Sequence, residues 1–111
     1  MTLREEQSKF ALAVADLIQE AHKRGYEVTL GDAYRDPRLH GAVGEKKGYG
    51  HSRSCHKVRL AIDLNLFING EYQTGATGHD ELHDWWVSAK GGAPMIEGDF
   101  NHYSFKHGMM T

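Results

Sequence analysis

The chain has 111 residues and a formal net charge of -2 at pH 7, which fits one domain and excludes the clustered Lys and Arg excess that binds nucleic-acid phosphates. With 40% hydrophobic and 25% charged residues it is composed as an ordinary globular protein, and no stretch approaches the ~20 apolar residues that cross a bilayer. The single cysteine, Cys55, excludes an intramolecular disulfide, so the fold cannot depend on an oxidising compartment.

From Thr2 to Arg24, apolar residues recur at three- and four-residue steps (Leu3, Phe10, Val14, Leu17, Ile18, Ala21). This spacing predicts one amphipathic helix with Arg4, Glu5, Lys9, Asp16 and Lys23 outside. Thr2 and Glu5 have capping-box spacing, and Gly25 supplies a C-terminal stop. Tyr26 to Leu30 reads as a short strand. Residues 36–53, with Pro37, Gly41, Gly44, Gly48 and Gly50, read as a long loop of the kind that serves as a lid or binding segment.

Leu60 to Leu66 alternates strictly, with Leu60, Ile62, Leu64 and Leu66 on one face and Ala61, Asp63 and Asn65 on the other, the pattern of a half-buried strand. Asn69-Gly70 signals a two-residue hairpin returning through Tyr72. Thr77 to Lys90 reads as a second helix with Leu82, Trp85, Trp86 and Ala89 inward, ended by Gly91-Gly92. Pro94 to Phe105 supplies a last strand. This order predicts a single α+β domain over residues 1–111, a small antiparallel sheet with helices packed on one side, and a monomer.

The chemistry-bearing residues lie around Ser54-Cys55-His56, Asp63 and Asp99-Phe100-Asn101-His102. His56, Asp63 and His102 make an all-N/O, three-ligand set of the kind that holds a catalytic zinc and leaves one position open for water. Asp63 points away from the leucine face of its strand. If residues 54–56 are also extended, Ser54 and His56 share a side and Cys55 faces the core. Asp99 and His102, three residues apart, share a side only on an irregular backbone.

A rival set is His79-Asp80-Glu81-Leu82-His83. Its two histidines share a helix face, but zincin chemistry needs Glu directly after the first His, where Asp80 stands. The segment reads instead as an exposed helix terminus, or as a wall of a substrate groove. His22, His40 and His107 read as surface or hydrogen-bonded residues, and Tyr103 and Trp85 as core or pocket wall.

Ser-x-His, six intervening residues, Asp, and a distal acidic-x-x-His resemble the pattern of the zinc D,D-peptidase family. That family includes the vancomycin-resistance dipeptidases, D-alanyl-D-alanine carboxypeptidases and phage L-alanyl-D-glutamate endolysins. The resemblance covers residues 28–106. It implies that His56, Asp63 and His102 bind one zinc ion per chain and that Asp99 is the general base. Ala33-Tyr34-Arg35-Asp36 matches the family's aromatic-Arg segment, which implies that Arg35 engages a substrate carboxylate or carbonyl, with Ser54 as a second substrate contact.

Two departures refine the resemblance. Many members carry Gly three residues after the first His; Arg59 stands there, with Ala61 and Asp63 retained, and an Arg at φ > 0 would be strained. The distal acid is Asp99 rather than the Glu of the dipeptidases, which, with the short chain, resembles the small endolysin branch. The implied activity is therefore hydrolysis of the peptide stem of bacterial peptidoglycan, between L-Ala and D-Glu. The alternatives are a D-alanyl-D-alanine carboxypeptidase or dipeptidase, holding a free carboxylate through Arg35, and a non-catalytic zinc-stabilised binding module. Met1 to Gln7 has no apolar leader character, so the expected location is the cytoplasm of a bacterial host, with access to the wall after a holin or other permeabiliser opens the membrane.

Overall fold

Thr2 begins the first helix, α1 (Leu3–Lys23), through a complete capping box: its hydroxyl accepts from the Glu5 N–H at 3.2 Å, and the Glu5 carboxylate accepts from the Thr2 N–H. The computed structural model describes residues 1–33 and 55–107, so Arg35, Ser54 and the loop expected over 36–53 lie outside the described residues. The far end of α1 closes in a Schellman motif. Gly25 has φ +87°, and the N–H groups of Gly25 and Tyr26 bond back to the carbonyls of His22 and Ala21 at 2.9 and 3.0 Å. Phe10, Ala13, Val14, Leu17 and Ala21 form the buried stripe.

Among the described residues four strands follow: β1 (Glu27–Leu30), β2 (Ala61–Ile68), β3 (Glu71–Tyr72) and β4 (His102–Ser104). All pairings are antiparallel and all involve β2, with β1 along one edge and β3 and β4 end to end along the other. The turn between β2 and β3 has Asn69 at φ 52° and Gly70 at φ 78°, the two left-handed positions that a type I′ hairpin requires. Alternation along β2 is kept: Ile62, Leu64 and Leu66 are buried, whereas Asp63, Asn65 and Phe67 are partly open.

The second helix, α2 (His79–Lys90), starts two residues later than the sequence spacing predicts, with Gly78 at its N-cap. Its inner face is His79, Leu82, His83 and Trp86, while Trp85 is half-buried and Ala89 exposed. The burial stripe is thus rotated from the expected one, because Trp86 seats in the core. Its indole N–H donates to the Ser104 carbonyl at 2.9 Å, and its ring meets Phe10 and Tyr103 edge-on. Both helices pack on the Leu64 and Leu66 face of the sheet, in one core with Leu17, Leu82 and Tyr103. The last strand is shorter than the expected span of 94–105, since turns occupy residues 96–101. The result is an α+β fold in which Asp63 lies on the sheet face turned away from the two helices.

Candidate metal centre

Cys55–Val58 is a 3-10 turn, so the condition of an extended chain at His56 is not met, and the turn ends in a second Schellman motif. The Leu60 N–H bonds to the Cys55 carbonyl at 2.8 Å and the Arg59 N–H to the His56 carbonyl at 3.4 Å, with Arg59 at φ 59°. Arg59 therefore adopts the left-handed conformation that glycine tolerates and that most other residues avoid. Cys55 and Leu60, both fully buried, anchor the two ends of this turn in the core. The Cys55 thiol donates to the Phe105 carbonyl at 3.1 Å, and burial pushes its pKa up to about 12, so it is a core group and not a ligand.

Asp63 is carried by β2 directly opposite His102 on β4, so strand register brings two residues far apart in sequence onto adjacent positions of one face. The chain leaving β1 approaches Asp63 so closely that a Cβ at Gly31 would lie 3.0 Å from the Asp63 Cβ. The Gly31 N–H bonds to the Asp63 carbonyl, and the Asp63 N–H to the Asp32 carbonyl, both at 2.8 Å. Asp99 joins the cluster through two successive turns, closed by Asp99 N–H to Ile96 O at 3.0 Å and His102 N–H to Asp99 O at 3.2 Å. This is the irregular backbone that the three-residue spacing demands. It leaves the Asp99 Oδ2 3.9 Å from the His102 Nδ1, with the Asp99 side chain 35% exposed.

His56 Nε2, His102 Nδ1 and Asp63 Oδ1 converge on one point. His56 Nε2 lies 2.9 Å from Asp63 Oδ1 and 3.1 Å from His102 Nδ1, and the latter lies 3.6 Å from Asp63 Oδ1. Both imidazoles are buried, and the carboxylate is 14% exposed. Burial alone would raise the Asp63 pKa, but hydrogen bonding to His102 and His56 outweighs it and holds the carboxyl well below the usual range. The group is therefore an anion. His56 Nδ1 faces the Ala33 carbonyl at 3.2 Å, and since a carbonyl only accepts, Nδ1 carries the proton. The Asp63 hydrogen bond from Nε2 then belongs to the doubly protonated ring, whereas in the neutral ring Nε2 offers a lone pair that can accept from His102 Nδ1 or bind a cation. The three residues can hold a metal ion.

The rival histidines do not converge on such a point. His79 and His83 are 1% and 2% exposed, so the expected exposed helix terminus is instead part of the core. His83 donates through Nε2 to the Phe100 carbonyl at 2.7 Å and stacks on Tyr103 with ring centroids 3.9 Å apart. His79 Nδ1 lies 2.7 Å from the Tyr103 hydroxyl. The signal for this burial was available, since His79, Leu82, His83 and Trp86 fall at i, i+3, i+4 and i+7. The Ala33 carbonyl, which orients His56, had none, because a backbone group leaves no mark in side-chain pattern. No protein-family model, curated protein or solved structure matches the chain.

Proposed function

We propose that the protein is a zinc peptidase that hydrolyses an amide bond in the peptide stem of bacterial peptidoglycan, between L-Ala and D-Glu. The observation that carries the reading is the convergence of His56, Asp63 and His102 with a partly exposed carboxylate, Asp99, beside them. Two donors on a tetrahedral zinc ion stand ~3.3 Å apart, given bonds of ~2.0–2.1 Å. The three separations of 2.9, 3.1 and 3.6 Å bracket that value. Zinc, when bound, would polarise the scissile carbonyl and make a water acidic enough to lose its proton near neutral pH.

The chain's own groups supply the rest. Asp99 accepts the proton of the attacking water and returns it to the leaving amine, a task for a carboxylate open to solvent and close to the ligands without being one. The Ala33 carbonyl fixes the His56 ring, and the opposed register of β2 and β4 fixes Asp63 against His102. Arg35 and Ser54 are assigned to substrate positioning on the family resemblance.

In this reading the enzyme is made in the cytoplasm of a bacterial host and meets the wall after a holin or similar factor opens the membrane. Purified, metal-loaded protein should clarify suspended walls, and a chelator should stop it. Mass analysis of the products should show stem peptides freed from sugar-linked L-Ala; release of terminal D-Ala alone would replace the endopeptidase reading with the carboxypeptidase one. No turnover of either kind with metal bound would overturn both.

A further inference from the structure

The sheet face that carries Asp63 continues along β2 away from the metal centre. Along β2, Asp63 is followed on the same face by Asn65 and Phe67, which lie opposite Thr29 of β1 and Tyr72 of β3 respectively. Asn65 donates to the Thr29 hydroxyl at 3.2 Å, and the Phe67 and Tyr72 rings sit 5.4 Å apart at 50°. Strand rise puts this aromatic pair ~13 Å from Asp63. Tyr72 is 50% exposed although its partner ring is half-buried, so the pair offers an aromatic surface to solvent.

Between that pair and the Asp99–His102 turn lies a cleft of about 100 Å³, whose wall includes Tyr72, Gln73, Thr74, His79, Phe100 and Asn101. Water in bulk takes up ~30 Å³ per molecule, so the cleft accepts one small polar substituent rather than a whole ring. Amide and hydroxyl side chains beside an exposed aromatic surface suit a pyranose: its C–H face packs on the electron-rich ring face while its polar substituents find donors and acceptors. Asn101 ties the cleft to the metal centre, because its carbonyl accepts from the Leu64 N–H at 2.9 Å, one residue beyond Asp63.

We propose that this cleft and the Phe67–Tyr72 pair form a sugar subsite, which holds the N-acetylated pyranose joined to the peptide that is cut. The inference rests on the proposed wall-peptide hydrolysis. In that substrate one amino acid and a lactyl ether separate the scissile bond from the ring, about 7 Å of extended chain, which with the ring's own width spans the gap from Asp63 to Tyr72. The acetamido group enters the cleft and the ring lies on Tyr72.

The test compares two substrates, a disaccharide-linked stem peptide and the same stem without sugar, using wild type, Tyr72→Ala and Tyr72→Phe. Tyr72→Ala should lose about three- to tenfold in kcat/KM on the sugar-linked substrate, carried by KM. It should leave the sugar-free peptide unchanged, and Tyr72→Phe should restore the preference. Equal losses on both substrates, or none, would overturn the subsite and mark the aromatic pair as a hairpin contact only. If wild type cuts neither substrate, the proposed hydrolysis fails by itself, and NMR titration of the metal-loaded protein with an N-acetylglucosamine trimer decides the subsite. Shifts confined to Tyr72, Gln73, Thr74 and Asn101 support it; their absence overturns it.

Discussion

His56 presents Nε2 to Asp63 Oδ1 at 2.9 Å while its Nδ1 is held by the Ala33 carbonyl, so the ring is oriented by backbone before any ion arrives. Removal of one ligand should therefore release the metal without dismantling the pocket. His56→Ala, Asp63→Ala and His102→Ala should each lose bound metal and activity together, measured by elemental analysis of dialysed protein, whereas His79→Gln should retain the metal. A chelator should lower the unfolding midpoint of wild type and leave that of His56→Ala unmoved, because only the former gains stability from binding. Full occupancy in any two ligand variants would refute the site.

Asp99 Oδ2 stands 3.9 Å from His102 Nδ1, and Asp99 is not itself one of the three. Asp99→Asn should keep the metal and the fold but lower turnover by ~10²–10⁴-fold, the usual range for a lost general base. Near-normal turnover of wall peptide by this variant would move the base elsewhere, with Glu97 on the same turn as the next carboxylate to examine.

Arg59 at φ 59° pays a conformational cost that glycine would not. Replacing it by Ala or by Gly removes the same side-chain interactions, so the difference between the two variants isolates the backbone. Arg59→Gly should be more stable than Arg59→Ala by ~1 kcal/mol in urea unfolding. Equal stabilities would mean that the left-handed conformation carries no strain here.

His79 links stability to pH. Burial, aided by the neighbouring His83, lowers its pKa from 6.5 to about 4. The unfolded chain then binds a proton near pH 6.5 that the folded chain refuses until about pH 4. Stability from this group is complete above the unfolded value and is lost as pH falls through that window, by an amount on the order of 3 kcal/mol. In metal-free protein, urea midpoints should fall over this range, and His79→Gln should flatten the slope. An unchanged slope would assign the acid sensitivity to other groups.

Features that depend on near neighbours along the chain were legible in the order of residues. Thr2 and Glu5 form their capping box, Asn69 and Gly70 their turn, and Asp63 its outward position, because capping, turn geometry and strand alternation act over a few residues. The residue types and spacing of His56, Asp63 and His102 also sufficed to nominate the set that can hold a metal, while the proposed role of Asp99 came from the family resemblance. Tertiary structure decided what depends on register and packing. Asp63 faces His102 only because β4 pairs with β2 in that register, and His56 turns its Nε2 inward only because the chain returns to place Ala33 beside it. His79 and His83 are core residues because Trp86 sets the rotation of α2, and Tyr72 stands beside the cleft because β3 and β4 share one edge of β2. Such relationships join segments tens of residues apart, and local periodicity contains no term for the distance between them.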